Sequence, residues 1–456
     1  MITAMHSGAG KTVMSCALMA ALKKRGMRLQ AFKCGPDYID PMFHGSVLGI
    51  PSRNLDLYLQ GKNGIRRTLS RALRQSGAEL GLVEAAMGYY DGANGTERAS
   101  AWETAKCLGI PAVLVLRPKG SGITTAAQVT GMMNFRPESG IRALLLSDCS
   151  AGLAAYLRPV LERETGLPVL GCLPPMPEAE LESRHLGLLT AGEVENLARR
   201  MNQLAAAAEE NISLDALIAL AEAPLLTELA ADVFDLPGRC RIAVAKDEAF
   251  CFTYADNLDA LREAGAELKF FSPLRDSVLP KGTDGLYLPG GYPELYARKL
   301  SENAAMRRHI AKAVQSGMPT VAECGGALYL QESLEDTDGN HFPMCGVLPG
   351  KGFRTGGLQR FGYLKMTAEN DSLLFRRGEA VPAHEFHYWD STEPGAALRA
   401  EKENGRSWRC AYIGDSLYAG FPHLHFGGRV PLAERFERAC EAWRQSQTQF
   451  QETKNA

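Results

Sequence analysis

Short apolar runs recur along the first half of the chain, separated by segments of helical spacing. Leu29–Phe32, Leu80–Glu84, Ala112–Leu116, Ala143–Leu146 and Val169–Leu173 read as strands, and Ile2–Met5 is a brief apolar run ahead of a glycine-rich turn. Val13–Lys24, Gly64–Gln75, Ser100–Leu108, Ile123–Met133 and Leu153–Thr165 read as helices between them. Basic residues near Lys24 followed by Gly26 give a plausible helix stop. Strands alternating with helices of this length predict a parallel sheet covered on both faces.

From residue 189 to about 231 the chain is rich in Ala, Leu and Glu and reads as helices with no strand between them. Asp235-Leu236-Pro237-Gly238 breaks that pattern, and a boundary is expected near Asp235–Arg241. The second half alternates again, with strands at Arg241–Ala245, Glu267–Phe271, Gly285–Leu288 and Thr320–Glu323. Helices are expected at Asn257–Glu263, Ala297–Ser316 and Ala327–Glu332, and the polar tail after Gln445 is expected to fray. The organisation is therefore α/β with two domains: residues 1–188, a helical linker over 189–238, a second domain over 239–445 and a tail over 446–456.

Composition narrows the function classes. The 456 residues suggest two to three domains at about 150 residues each. The net charge of −2 gives no global field for gripping nucleic acid or anionic lipid. Apolar stretches such as Ala112–Leu116 fall far short of the roughly 20 residues a transmembrane helix needs. The 11 cysteines are scattered without a C-x-x-C pair, which reads as reduced thiols, with neither a disulfide framework nor a zinc site. A cytoplasmic protein with no nucleic-acid or membrane partner is expected. The chain runs from Met1 straight into the glycine-rich turn without a signal-peptide pattern, and the shortness of the preceding strand leaves an earlier native start open.

His6-Ser7-Gly8-Ala9-Gly10-Lys11-Thr12 lies between a strand and a helix. Glycines let backbone N–H groups crowd around phosphate oxygens, and the helix N-terminus favours the anion. Ser7, Gly8 and Gly10 would cradle the phosphates, Lys11 would neutralise the β and γ groups, and Thr12 would ligate Mg²⁺. Met5 stands where the strict motif has glycine, so this is a variant phosphate loop. Two acidic clusters, Lys33–Pro41 and Val83–Gly92, follow the next strands, where ligands of open α/β sheets bind.

In the second half, Thr320-Val321-Ala322-Glu323-Cys324-Gly325-Gly326-Ala327 is an apolar strand ending in a thiol, then two glycines, then a helix. This resembles a nucleophile elbow, with a helix N-terminus expected to lower the thiol pKa. The strand before Gly290-Gly291 offers N–H groups for an oxyanion hole. Phe421-Pro422-His423-Leu424-His425-Phe426 supplies a histidine base, with both His423 and His425 as candidates. His384-Glu385-Phe386-His387 lacks the spacing of a zinc helix and suits packing or substrate contact. Arg354 and Arg360 read most simply as solvated.

Taken together these stretches resemble the cobyrinic acid a,c-diamide synthase family of cobalamin biosynthesis. The resemblance rests on Ser7–Thr12, FKCGPDYIDP (32–41), SRNLD (52–56), VEAAMGYYDG (83–92), RHLG (184–187), AVAKDEAF (243–250), LPGGYPELYA (288–297), AECGGALYL (322–330), HEFHY (384–388) and HLHF (423–426). It implies a P-loop domain like dethiobiotin synthetase, followed by a flavodoxin-like class I glutamine amidotransferase domain. It further implies that Cys324 attacks L-glutamine and that His423 aligns best with the family's activating histidine, His425 being the fallback. No third acid is assigned. At the ATP site, Thr12 and Glu84 would hold Mg²⁺, Asp40 would lie near the phosphates and the acyl phosphate, and Tyr38, Ile39 and Asp91 would meet the substrate. A locally basic cleft is expected for a multi-carboxylate corrinoid.

Arg117-Pro118-Lys119-Gly120 and Ser147-Asp148 depart from what relatives carry near the nucleotide base. The same diamidation of Ni-sirohydrochlorin or hydrogenobyrinic acid remains an alternative, as does a non-catalytic P-loop ATPase switch. A homodimer is compatible with the sequence.

Overall fold

The structure, a computed structural model, describes residues 1–176, 191–221 and 239–455. The RHLG stretch, the residues around the expected boundary and part of the expected linker lie outside them. The chain divides into two compact units, Met1–Ala231 and Asp232–Ala456.

The first unit contains strands β1 (Ile2–Ala4), β2 (Leu29–Cys34), β3 (Ser52–Leu55), β4 (Leu80–Glu84), β5 (Ala112–Leu116), β6 (Ile141–Leu146) and β7 (Val169–Cys172). They form one parallel sheet in the order β3-β2-β4-β1-β5-β6-β7. Its helices are α1 (Lys11–Lys24), α2 (Ile39–Ser46), α3 (Leu57–Ser76), α4 (Ala101–Leu108), α5 (Thr124–Asn134), α6 (Ala151–Thr165), α7 (Ala191–Asn211) and α8 (Leu214–Leu220). Separate apolar cores cover the two faces, one built on Leu18, Val115 and Leu145, the other on Phe32, Leu114 and Leu144. Burial on both faces explains why strands such as Ala112–Leu116 are apolar throughout.

Sequence patterning missed β3 and α2. β3 is a polar edge strand, Ser-Arg-Asn-Leu, and α2 is a short helix inside a stretch rich in turn formers. It also started α3 late, because Gly61 kinks that helix with φ +70° and obscures its first turns. The described part of the expected linker packs onto the first unit. Met201, Leu204, Ala208 and Leu214 are buried in the same core as Met14 and Leu18. Gly171 on β7 makes a close backbone approach to Ile212 that a Cβ would forbid, since it would lie 2.1 Å from the Asn211 carbonyl oxygen.

The second unit begins with β8 (Cys240–Ala245), α9 (Ala255–Glu263), β9 (Ala266–Phe271), β10 (Gly285–Leu288), α10 (Ala297–Glu302), α11 (Ala304–Gln315), β11 (Thr320–Glu323) and α12 (Gly325–Leu330). Asn303 divides the single helix expected over Ala297–Ser316, its side chain accepting from the Met306 amide to cap α11. Next come β12 (Ser333–Glu335), β13 (His341–Pro343), β14 (Lys351–Ala368), β15 (Ala380–Ser391), β16 (Leu398–Glu401), β17 (Ser407–Cys410), β18 (Tyr412–Ile413), β19 (Leu417–Gly420), β20 (His423–Leu424) and α13 (Leu432–Asn455). The expected fraying tail is thus the continuation of α13.

β8 to β11 and β19 run parallel in a six-stranded sheet of order β18-β19-β11-β10-β8-β9. A second sheet, largely antiparallel, has the order β13-β12-β14-β15-β20, with β16 on β14 and β17 on β16. Phe421 and Pro422 carry the chain from the end of β19 in the first sheet to β20 in the second. Among the described residues, no helix is long and apolar enough to cross a membrane.

Candidate active site

In the first unit the glycine-rich loop joins β1 to α1. Gly8 and Gly10 take φ of +81° and +92°, and a Cβ on Gly10 would lie 2.2 Å from Ser147 Oγ. At Gly10 both the backbone sign and the space require glycine, and at Gly8 the backbone sign alone favours it. Lys11 is buried, and its Nζ donates to the His6 carbonyl at 3.0 Å. Burial, with the Lys33 charge nearby, pushes its ammonium down to about 8, so a bound phosphate would restore a full charge.

Thr12 Oγ1 donates to Glu84 Oε1 at 2.7 Å, and Lys33 Nζ lies 2.8 Å from the same oxygen. Glu84 is fully buried at the end of β4, and its Oε2 has no hydrogen-bond partner, with His44 Nε2 3.7 Å away. Burial opposes its charge, but Lys33 and His44 outweigh that and hold the carboxyl far below the usual range. Lys33 also reaches Asp40 Oδ2 at 2.5 Å, in the first turn of α2. Burial, reinforced by Asp37 and Glu84, pushes Asp40 up to about 7. A hydroxyl beside a buried carboxylate with one open oxygen is a hard-oxygen donor set, which suits Mg²⁺ completed by phosphate oxygens and water.

Asp91 accepts from the Gly88 amide at 3.0 Å. Tyr38 precedes α2, and Ile39 begins it. A cleft of about 520 Å³ opens beside the loop, lined by Ser7, Gly8, Gly10, Lys11, Thr12 and Lys33 together with Met87, Arg117, Ser147, Asp148, Pro174 and Leu204. Asp40, Tyr38, Ile39 and Asp91 are not part of that lining. The two departures noted in the sequence meet here: Arg117 Nε donates to Asp148 at 2.8 Å, and Nη1 to the Gly8 carbonyl at 3.3 Å. Sequence reasoning gave no role to Lys33 or His44. Their only signal was position, Lys33 near the C-terminal end of β2, one strand in from the sheet edge, and His44 on the helix that follows.

In the second unit β11 ends at Glu323, and Cys324 turns the chain into α12 with φ +48° and ψ −106°, a conformation L residues rarely hold. Its amide donates to the Gly420 carbonyl at 2.7 Å. The tight turn explains the glycines that follow. A Cβ on Gly326 would lie 2.1 Å from the Leu288 carbonyl oxygen, and one on Gly325 would lie 2.8 Å from Pro293 Cδ and 3.2 Å from the Gly291 amide nitrogen. The thiol pKa is not lowered as expected. Burial first, then Glu294 and Glu385, push it up, and only the Gly325 amide opposes them. A helix of six residues cannot outweigh burial beside two carboxyl groups.

The structure brings His423 and Gly290 to this thiol. A Cβ on Gly290 would lie 2.6 Å from His423 Cε1, 3.4 Å from its Nε2 and 3.4 Å from Cys324 Cβ, so one glycine stands between the two side chains. His423 Nδ1 lies 3.7 Å from Glu323 Oε2. His425 turns elsewhere: its Nδ1 accepts from the Gly427 amide at 3.1 Å, and its ring packs 4.9 Å from Tyr254. His384 pairs directly with His423 across β15 and β20. Burial, then the His423 and Lys402 charges, push its imidazole down to about 3. Glu385 and His387 are buried in the same strand. Arg360, expected to be solvated, instead binds Glu385 at 2.8 Å and Asp390 at 2.6 Å. Among the described residues no group of three or more His, Cys, Asp or Glu side chains could hold a metal ion, so the HEFH stretch is a packed ion-pair network.

These arrangements agree with comparisons to known proteins. Residues 1–189 match the CobQ/CobB/MinD/ParA nucleotide binding domain, and residues 241–431 the CobB/CobQ-like glutamine amidotransferase domain. The chain is 37% identical over 449 residues to a cobyrinate a,c-diamide synthase of Caldanaerobacter subterraneus subsp. tengcongensis, covering 97% of this chain and 98% of the relative. It is 38% identical over 457 residues to that of Dehalococcoides mccartyi, covering 97% and 98%. Against that of Clostridium acetobutylicum it is 36% identical over 446 residues, covering 96% and 99%. With both domain types present in order and relatives matched along almost their whole length, the chain belongs to the cobyrinate a,c-diamide synthase family.

Proposed function

We propose that the protein uses ATP and glutamine to amidate the a- and c-acetate carboxylates of cobyrinic acid, a step of cobalamin biosynthesis. The observation that carries this reading is the presence of two complementary chemistries in one chain. A phosphate loop with Lys11, Thr12 and Glu84 stands in one unit, and the Cys324 elbow beside His423 stands in the other.

A carboxylate is a poor acylating agent, and transfer of the ATP γ-phosphoryl group turns it into an acyl phosphate that ammonia can attack. Lys11 offsets the charge gathering on the phosphoryl oxygens. Thr12 and Glu84 would hold Mg²⁺, which supplies further charge neutralisation there. Asp40, ion-paired to Lys33, would stand near the phosphates and the acyl phosphate.

In the second unit the Cys324 S–H bond breaks as sulfur attacks the glutamine amide carbon, and the proton passes to His423. The tetrahedral oxyanion is met by the Gly291 amide beside the elbow. His423 returns the proton as the C–N bond breaks, releasing ammonia and leaving a glutamyl thioester that water then hydrolyses. Because the buried thiol is held neutral, proton removal by His423 is essential.

Mass spectrometry of products from cobyrinic acid, Mg-ATP and glutamine tests this, with ATP omitted and ammonia replacing glutamine as controls. A doubly amidated product that requires ATP is expected. Turnover confined to Ni-sirohydrochlorin or hydrogenobyrinic acid would move the substrate assignment. ATP hydrolysis with no amidation of any tetrapyrrole would overturn the reading in favour of a switch.

A further inference from the structure

We propose that Glu323, the residue immediately before the thiol, is the positioning group that orients His423 and stabilises its protonated form during glutamine hydrolysis. This rests on the assignment of Cys324 and His423 made above.

Neighbouring residues of a strand point to opposite faces. The left-handed φ of Cys324 at +48° turns the thiol into the elbow, while Glu323 remains in the buried sheet, where it is 1% exposed. Its carboxylate is gripped from three sides. Oε1 accepts from the Leu424 amide at 3.0 Å, the peptide group directly after His423. Oε2 accepts from the Tyr287 hydroxyl at 3.1 Å and faces His423 Nδ1 at 3.7 Å.

The surrounding hydrogen bonds leave little choice of direction. Asn257 Oδ1 accepts from the Phe426 amide at 2.7 Å, so its Nδ2 is the donor to the Leu424 carbonyl at 2.9 Å and to the Tyr287 hydroxyl at 3.3 Å. Tyr287 therefore directs its own proton to Glu323, which must be an acceptor. A carboxylate fixed in this way favours the His423 tautomer with its proton on Nδ1. Nε2 is then the base, on the ring edge that the Gly290 gap places toward Cys324. At 3.7 Å the Nδ1 contact is an ion-pair distance, and such contacts commonly tighten when substrate binds. An imidazolium formed in so buried a place needs this anionic neighbour.

The test is glutaminase activity against pH for the full-length wild type, Glu323→Gln and Glu323→Asp, with Cys324→Ser alongside. Titratable groups facing the His423–Cys324 pair include Glu323 on β11, His384 on β15 and Tyr287 on β10 behind Glu323, with Glu294 and Glu385 beside the thiol. Loss of the Glu323 charge should lower kcat ~10-fold or more, with KM for glutamine little changed. It should move the acidic limb of the profile to lower pH, since the imidazole loses its anion. Glu323→Asp should recover part of kcat and the original limb. Ammonia-driven amidation should be unaffected in all three. An unchanged kcat and limb in a folded Glu323→Gln protein overturns the proposal. So does a loss in Glu323→Gln that Glu323→Asp shares fully with no movement of the limb. Glutaminase activity surviving in Cys324→Ser would instead overturn the underlying assignment.

Discussion

Thr12 and Glu84 meet across 72 residues of sequence, the hydroxyl donating at 2.7 Å to a carboxylate oxygen that Lys33 also holds. The contact ties the first turn of α1 to the end of β4 and sets two hard oxygen donors side by side at the phosphate loop. Replacing Glu84 by Gln should abolish amidation from both glutamine and free ammonia. Lys33 keeps Asp40 as its ion partner, so the stability cost should be about 1–3 kcal/mol rather than the ~3–5 kcal/mol of a fully orphaned buried charge. Product assays with each nitrogen source, together with thermal melts, check both parts.

On the proposed reading, Lys11 is the cation that would face the phosphates. Lys11→Ala should reduce synthesis from either nitrogen source by about 10²–10³-fold or more, while glutaminase activity measured alone persists. Synthesis at the wild-type rate would remove the loop from the mechanism.

Gly290 separates Cys324 from His423. A methyl group there would lie 2.6 Å from the imidazole Cε1, and the buried ring has little space to retreat into. Gly290→Ala should therefore depress glutamine-driven amidation while ammonia-driven amidation stays close to wild type. Equal retention of the two would show that the ring and the thiol need not approach through this gap.

His384 gives the second unit a pH-dependent stability. Its folded pKa is depressed to about 3 by burial, beside His423 and Lys402, from 6.5 when unfolded. The folded state thus binds fewer protons than the unfolded chain below that unfolded value. The stability contributed by the neutral, buried His384 is complete above pH 6.5, falls as the pH drops, and is fully lost only near the folded value. The penalty at pH 5 is about 2 kcal/mol. Urea melts followed by tryptophan fluorescence at pH 5 and 7.5 should show this loss in wild type and a smaller one in His384→Gln. The same slope in both would assign the acid sensitivity to other groups.

The sequence carried the local parts of both sites well. Glycines at positions 8 and 10 are read from their spacing, because left-handed backbone at both, and contact with Ser147 at Gly10, leave other residues strained there. Cys324 is read from an apolar strand that stops at Gly-Gly, because the elbow excludes side chains on the next two residues. Strands buried on both faces were legible for a similar reason, whereas the polar edge strand β3 and the long strands β14 and β15, with their register shifts, were not. Their exposed, interrupted alternation looks like loop until a partner strand is known.

The expectation of a lowered thiol pKa failed on a quantity no motif records, namely how deeply Cys324 is buried and which carboxyl groups surround it. Arg360 failed in the same way, since its pairing with Glu385 and Asp390 depends on a register shift between β14 and β15.

By itself the sequence determined the alternation of strands and helices, the phosphate loop and the thiol elbow, because each is set by steric demands within a few residues. Tertiary structure alone set His423 rather than His425 against the Gly290 gap beside Cys324, placed Glu323 behind it, and joined Lys33, Asp40 and Glu84 into one buried cluster. Those choices depend on which strand ends lie side by side and on what water is kept away from, and both follow from packing across the whole unit.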